Sequence, residues 1–106
     1  MTIREQVSTA TRDRLEDMIR EHPHWIKYLE EQDDDLMLIT LEANPNVLCL
    51  VRDQSEELCL AAVRRVYTTV AYVRKLTDKI VTTAMSVDSD AQYYLPKNWY
   101  DLYGRK

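Results

Sequence analysis

The stretch EEQDDDLMLI, residues 30–39, sets five acidic side chains within six residues. Clustered carboxylates can hold a divalent cation, imitate a phosphate backbone, or begin a helix, where exposed N–H groups favour negative charge. Two histidines, His22 and His24, flank Pro23, and two cysteines, Cys49 and Cys59, lie inside apolar runs. Both residue types bind metals or act as nucleophiles when partners converge on them. The spacing supplies no such partners. No third or fourth donor accompanies H-P-H, the tandem acids lack a confining loop, and no histidine is placed beside either cysteine by a known signature. The histidines therefore read as solvated helix-entry residues and the cysteines as a reduced, buried pair of small hydrophobes. No catalytic residue, metal ligand or cofactor is assigned.

Composition narrows the classes further. The chain of 106 residues is 45% hydrophobic and 30% charged, which fits one small globular domain or a short stack of repeats. Its one glycine, Gly104, cannot build a phosphate-cradling loop or a dinucleotide fingerprint, which need several. Few glycines and three prolines also favour helices with short connections over tight hairpins. No apolar stretch approaches the roughly 18–20 residues that cross a bilayer, and MTIREQVSTATRDRLED lacks the apolar core of a signal peptide. The expectation is a cytoplasmic protein without a membrane partner. Residues 1–60 hold 14 acids and 6 bases and residues 61–106 hold 4 and 8, so halves of −8 and +4 make up the net −4. Such polarity can attract two different partners or drive head-to-tail self-association.

An internal repeat organises these residues. EQDDDLMLITL (31–41) aligns with DQSEELCLAAV (53–63) at an offset of 22 residues, and the offset continues. Five columns are apolar in all four units: Ile19/Leu41/Val63/Met85, Tyr28/Leu50/Tyr72/Tyr94, Leu29/Val51/Val73/Leu95, Leu36/Leu58/Ile80/Leu102 and Met37/Cys59/Val81/Tyr103. Chance would give roughly one. Each unit reads as two short helices: Leu58, Ala62 and Val66 recur at i, i+4, and Val47, Leu50 and Val51 at i, i+3, i+4. Pro23 and Pro45 suit first helical positions, with Asn44 as an N-cap.

Asp33, Ser55 and Thr77 share one column, immediately before a helix, and all three cap well. Asp34, Asp35, Glu56, Glu57 and Asp78 then occupy first turns, so helix starts account for the acidic run, ahead of a metal site or an acidic binding face. Arg64–Arg65 and Arg74–Lys75 fall near helix C-termini, which cations complement; the competing reading is a nucleic-acid patch helped by Tyr67 and Tyr72. VYTTVAYV (66–73) is rich in β-branched and aromatic residues and reads locally as a strand, but the register makes it a helix. The expected fold is all-α: a short α-solenoid of stacked helix pairs with a 22-residue period. It forms one domain, with a cap at residues 8–17 and repeats at 18–39, 40–61, 62–83 and 84–105.

At NPNVLCLVRDQSEELCLAAV, residues 44–63, the chain resembles the short helical repeats of an uncharacterised family of phage, prophage and giant-virus proteins. Those repeats pair an (A/N)ALxYVxxQ-like helix with a TEELCLxAV-like helix. The likeness extends from 18 to 83; beyond it Pro96 cuts a helix short and NWYDLY replaces the acidic start. The family has no defined catalytic residues, so the resemblance implies a virus-associated binding protein, placed in the host cytoplasm if viral.

Four aromatic residues are candidate partner-binding positions. Trp99 and Tyr100 stand in columns otherwise filled by Asp33, Ser55, Thr77 and by Asp34, Glu56, Asp78. Tyr67 occupies the column of Pro23 and Pro45, and Tyr93 that of Lys27, Cys49 and Ala71. Aromatic groups where water is expected are interface anchors, unless YYLPKNWYDLY folds over the end of the stack as a cap. The expected function is a non-enzymatic, phage or mobile-element adaptor or inhibitor acting on a host protein, with counter-defence as a natural role. The alternatives are nucleic-acid binding by the basic half, DNA mimicry by the acidic half, or a virion or assembly component that forms homo-oligomers.

Overall fold

Capping residues set the phase of the helices. In the computed structural model, which describes residues 2–104, α1 (Ile3–Thr9) is followed by α2 (Arg12–Glu21), α3 (Asp34–Ala43), α4 (Glu56–Arg65) and α5 (Asp78–Val87). Arg105, the last residue of the fourth predicted repeat, lies outside the described residues. The side chains of Thr11, Asp33, Ser55 and Thr77 each accept a hydrogen bond from the backbone N–H three residues on, at 3.3, 2.8, 3.2 and 3.3 Å. Each bond satisfies one of the donors a helix start leaves open.

Each of α2 to α5 is followed, after one extended residue, by a six-residue 3-10 helix. These are η1 (Pro23–Tyr28), η2 (Pro45–Leu50), η3 (Tyr67–Tyr72) and η4 (Ser89–Tyr94). The linking residues His22, Asn44, Val66 and Asp88 have φ between −133° and −160°. No described residue has a positive φ. The reversal from helix to 3-10 turn is therefore made in the extended region, and glycine is not needed. Pro23 and Pro45 fill first helical positions and Asn44 caps η2 through Asn46 N–H at 3.0 Å. VYTTVAYV is helical: Tyr67 takes the proline's place in η3, and burial of Thr69 and Val70 outweighs local strand propensity.

The fold is all-α, with no strand among the described residues. Successive α-helices pack side by side, as do successive 3-10 helices, giving a rod of 51 × 19 × 18 Å. Its radius of gyration is 15.3 Å, against about 13 Å for a globular chain of this length. The core is a set of columns running along the rod. Leu36/Leu58/Ile80, Met37/Cys59/Val81 and Ile19/Leu41/Val63 are buried, and Val7 from α1 joins Leu29/Val51/Leu95.

Residues 8–17, read as a cap, are divided between α1 and α2. Two of the five apolar columns contain exposed residues. The Tyr28/Leu50/Tyr72/Tyr94 column is only partly covered: Tyr28 and Leu50 pack half-buried against the core, while Tyr72 is 41% and Tyr94 44% exposed. Leu102 is 57% exposed although Leu36, Leu58 and Ile80 in its column are buried; it lies on a five-residue turn, Tyr100–Gly104, where the earlier units have a ten-residue α-helix. In its place the core uses Ile26/Leu48/Val70, a column that Gln92 breaks, and the small buried set Thr40, Ala62 and Ala84.

Candidate functional site

The four aromatic candidates divide into two that close the fold and two that face water. Trp99 is partly buried against the core, together with Tyr103, whose hydroxyl donates to the Leu76 carbonyl at 3.4 Å. Leu95 is buried just ahead of them. The terminal segment thus folds back onto the core beside the loop that leads into α5. Tyr100, next to Trp99 with ring centroids 5.7 Å apart and edge-on, is 58% exposed.

Tyr67 packs partly against the core, and its ring meets that of Tyr94 at 6.1 Å and 73°. Partial burial, followed by the carboxylates of Asp88 and Asp90, pushes its hydroxyl above the usual tyrosine range. Tyr93, on the adjacent outer position of η4, is 77% exposed. The structure therefore pairs Trp99 with Tyr100 and Tyr67 with Tyr94, and leaves Tyr93 standing out from the rod. Sequence reasoning did not single out Tyr94, Leu102 or Val87, the last 44% exposed. The available signal was their place in the last unit, residues 84–105.

The groups that could do chemistry take structural positions. Asp33 caps α3 and accepts two bonds from Arg12, at 2.7 and 3.1 Å. The Arg12 guanidinium holds the Asp33 carboxyl below the usual carboxylate range, and Asp33 raises Arg12 in turn. Asp34 and Asp35 lie in the first turn of α3. The His22 ring stacks on Trp25 at 4.1 Å and meets His24 edge-on. Cys59 is buried, which raises its thiol, but Cys49 is exposed on the outer side of η2, against the expectation of a buried pair. No three His, Cys, Asp or Glu side chains converge as a metal set among the described residues. The cleft beside the acidic run, lined by Glu30, Glu31, Gln32, Asp33, Arg52 and Asp53, measures 260 Å³, below the roughly 300–1,000 Å³ of ligand pockets.

Basic residues are drawn into the backbone. Arg52 donates to the carbonyls of Leu29 and Glu30, Arg74 to those of Val51 and Arg52, and Arg65 to that of Glu42. Beside them Gln32 donates to Ile26 and Leu50 carbonyls and accepts from Arg52 N–H; Gln54 repeats this with Leu48, Tyr72 and Arg74. Each loop is thus stitched to its neighbour by one amide and one guanidinium. Compared with protein-family models, curated proteins and solved structures, the chain finds no match.

Proposed function

We propose that this chain is a non-enzymatic protein-binding adaptor or inhibitor whose partner docks on the carboxyl-terminal end of the rod. The observation that carries this reading is the exposure of Tyr100 (58%) and Leu102 (57%), two large side chains on one short turn. Leu102 falls in a column that is buried in every preceding repeat, so the end offers an unfilled core position to a partner's apolar side chain. Tyr93 extends the surface onto the last 3-10 helix. The opposite end differs: the exposed face of α2 carries Arg12, Asp17 and Arg20, tied with Glu16 into ion pairs.

Origin in a phage or mobile element, a host protein as target and a counter-defence role are part of the proposal and rest on the resemblance at residues 44–63. The nucleic-acid reading is weaker, because Arg65 and Arg74 of the basic half already donate to backbone carbonyls. Affinity capture from host lysate with the full chain, followed by mass spectrometry, supplies the partner. The Tyr100→Ser/Leu102→Ser variant is expected to keep its helical circular dichroism and to lose that partner by at least about tenfold. Retention of the partner at unchanged affinity would overturn the docking site.

A further inference from the structure

We infer that two copies of this chain associate through their 3-10 helices, antiparallel, about a two-fold axis between η2 and η3. The proposed face shares Tyr93 with the terminal docking site and is otherwise distinct from it, because Tyr100 and Leu102 fall in α-helix columns and not in 3-10 columns. On a 3-10 helix residues three apart eclipse one another. His24 and Lys27, Asn46 and Cys49, Thr68 and Ala71, and Asp90 and Tyr93 therefore form successive pairs along one face. All of them are exposed except Thr68, which is half-buried. Tyr28, Leu50, Tyr72 and Tyr94 run beside them.

The charge pattern of this face is what selects its occupant. Its two central helices present Asn46, Cys49, Leu50, Thr68, Ala71 and Tyr72, with no charge among them. By contrast α4 alone exposes Glu56, Glu57, Arg64 and Arg65. The charges of the 3-10 face stand at its ends and have opposite signs. Lys27, its ammonium 5.2 Å from the Tyr28 ring centre, lies on η1; Asp90, next to Asp88, lies on η4. A neutral centre between unlike ends is complementary to itself when reversed.

Parallel copies would set Lys27 against Lys27 and Asp90 against Asp90. Antiparallel copies set Lys27 against Asp90 twice and place the uncharged central residues against each other. Charge along the described residues favours the same arrangement, since reversal brings residues 2–60 of one copy, with 14 acids and 6 bases, beside residues 61–104 of the other, with 4 acids and 6 bases. Size decides between side and end. A side of 51 by 19 Å exceeds the roughly 800 Å² per partner of a standard interface, and an end of 19 by 18 Å falls below half of it.

Sedimentation equilibrium of the full chain at micromolar to submillimolar concentration tests this. A reversible dimer is expected, weakened at least about tenfold by Lys27→Glu, by Asp90→Lys and by Ala71→Glu. All three replace exposed side chains, so circular dichroism is expected to be unchanged. Mixing Lys27→Glu with Asp90→Lys is expected to restore the dimer, because each mixed pair then opposes unlike charges at both ends. Three results would each overturn the inference: a monomer throughout the range, a dimer indifferent to Ala71→Glu and Lys27→Glu, or single variants that stay apart when mixed.

Discussion

At Asp33 one carboxylate caps α3 through Leu36 N–H and also receives the Arg12 fork from α2. The side chains of Arg12 and Asp33 are 46% and 49% exposed, so solvent screens the ion pair and the cap carries most of the effect. Asp33→Ala is expected to destabilise by about 1–2 kcal/mol in urea unfolding, and Asp33→Asn, which keeps a capping oxygen, by less than about 1 kcal/mol. Because the folded carboxyl lies below its unfolded value of about 4, its charge-dependent stabilisation is present above that pH. It is lost as the pH falls through the lowered value. Asp33→Asn is expected to flatten that part of the stability–pH curve.

The repeat element depends on groups that helix propensity does not describe. A 3-10 helix of six residues cannot persist alone. It is held by the column Ile26/Leu48/Val70 from within and by Gln32 and Gln54 from the loops. Gln54 makes three hydrogen bonds to the backbone, each 3.0 Å, in two successive repeats. Gln54→Leu is expected to destabilise by about 2–3 kcal/mol, read from denaturant melts, since it strips partners from three backbone groups. Gln54→Glu keeps the acceptor for Arg74 N–H but points a carboxylate at two carbonyl oxygens. Its folded pKa is then raised above about 4, so this variant is expected to lose stability as the pH rises and recover it on acidification. The stitch stops where Leu76 and Pro96 replace the glutamine and the N–H that would meet it.

For the whole molecule, nearest-neighbour stacking makes the two ends the decisive places. The amino-terminal end is closed by α1, which buries Val7, and by the ion-paired face of α2. The other end relies on Trp99 and Tyr103, with Tyr100 and Leu102 left outside. The two classes should separate by experiment. Trp99→Ala is expected to lower stability by about 2–3 kcal/mol, followed by circular dichroism, because it opens a partly buried site against the core. Tyr100→Ser/Leu102→Ser is expected to change stability by less than about 0.5 kcal/mol.

The sequence by itself determined the period, the capping column and the all-α class. These are local matters: a carboxylate or hydroxyl either meets the N–H three residues ahead or it does not, and a proline either fits a first turn or breaks it. It also placed the helix in VYTTVAYV, by register and against propensity. Only the tertiary structure decided which apolar columns are covered. Burial depends on what lies across the rod, so Tyr72 and Tyr94 emerged at the edge and Leu102 on an exposed turn, while Ile26/Leu48/Val70 was hidden in spite of Gln92. The division of the aromatic candidates, with Trp99 and Tyr67 packed and Tyr93 and Tyr100 exposed, has the same origin: residue type gives the tendency to be buried, and the presence of a neighbour fulfils it.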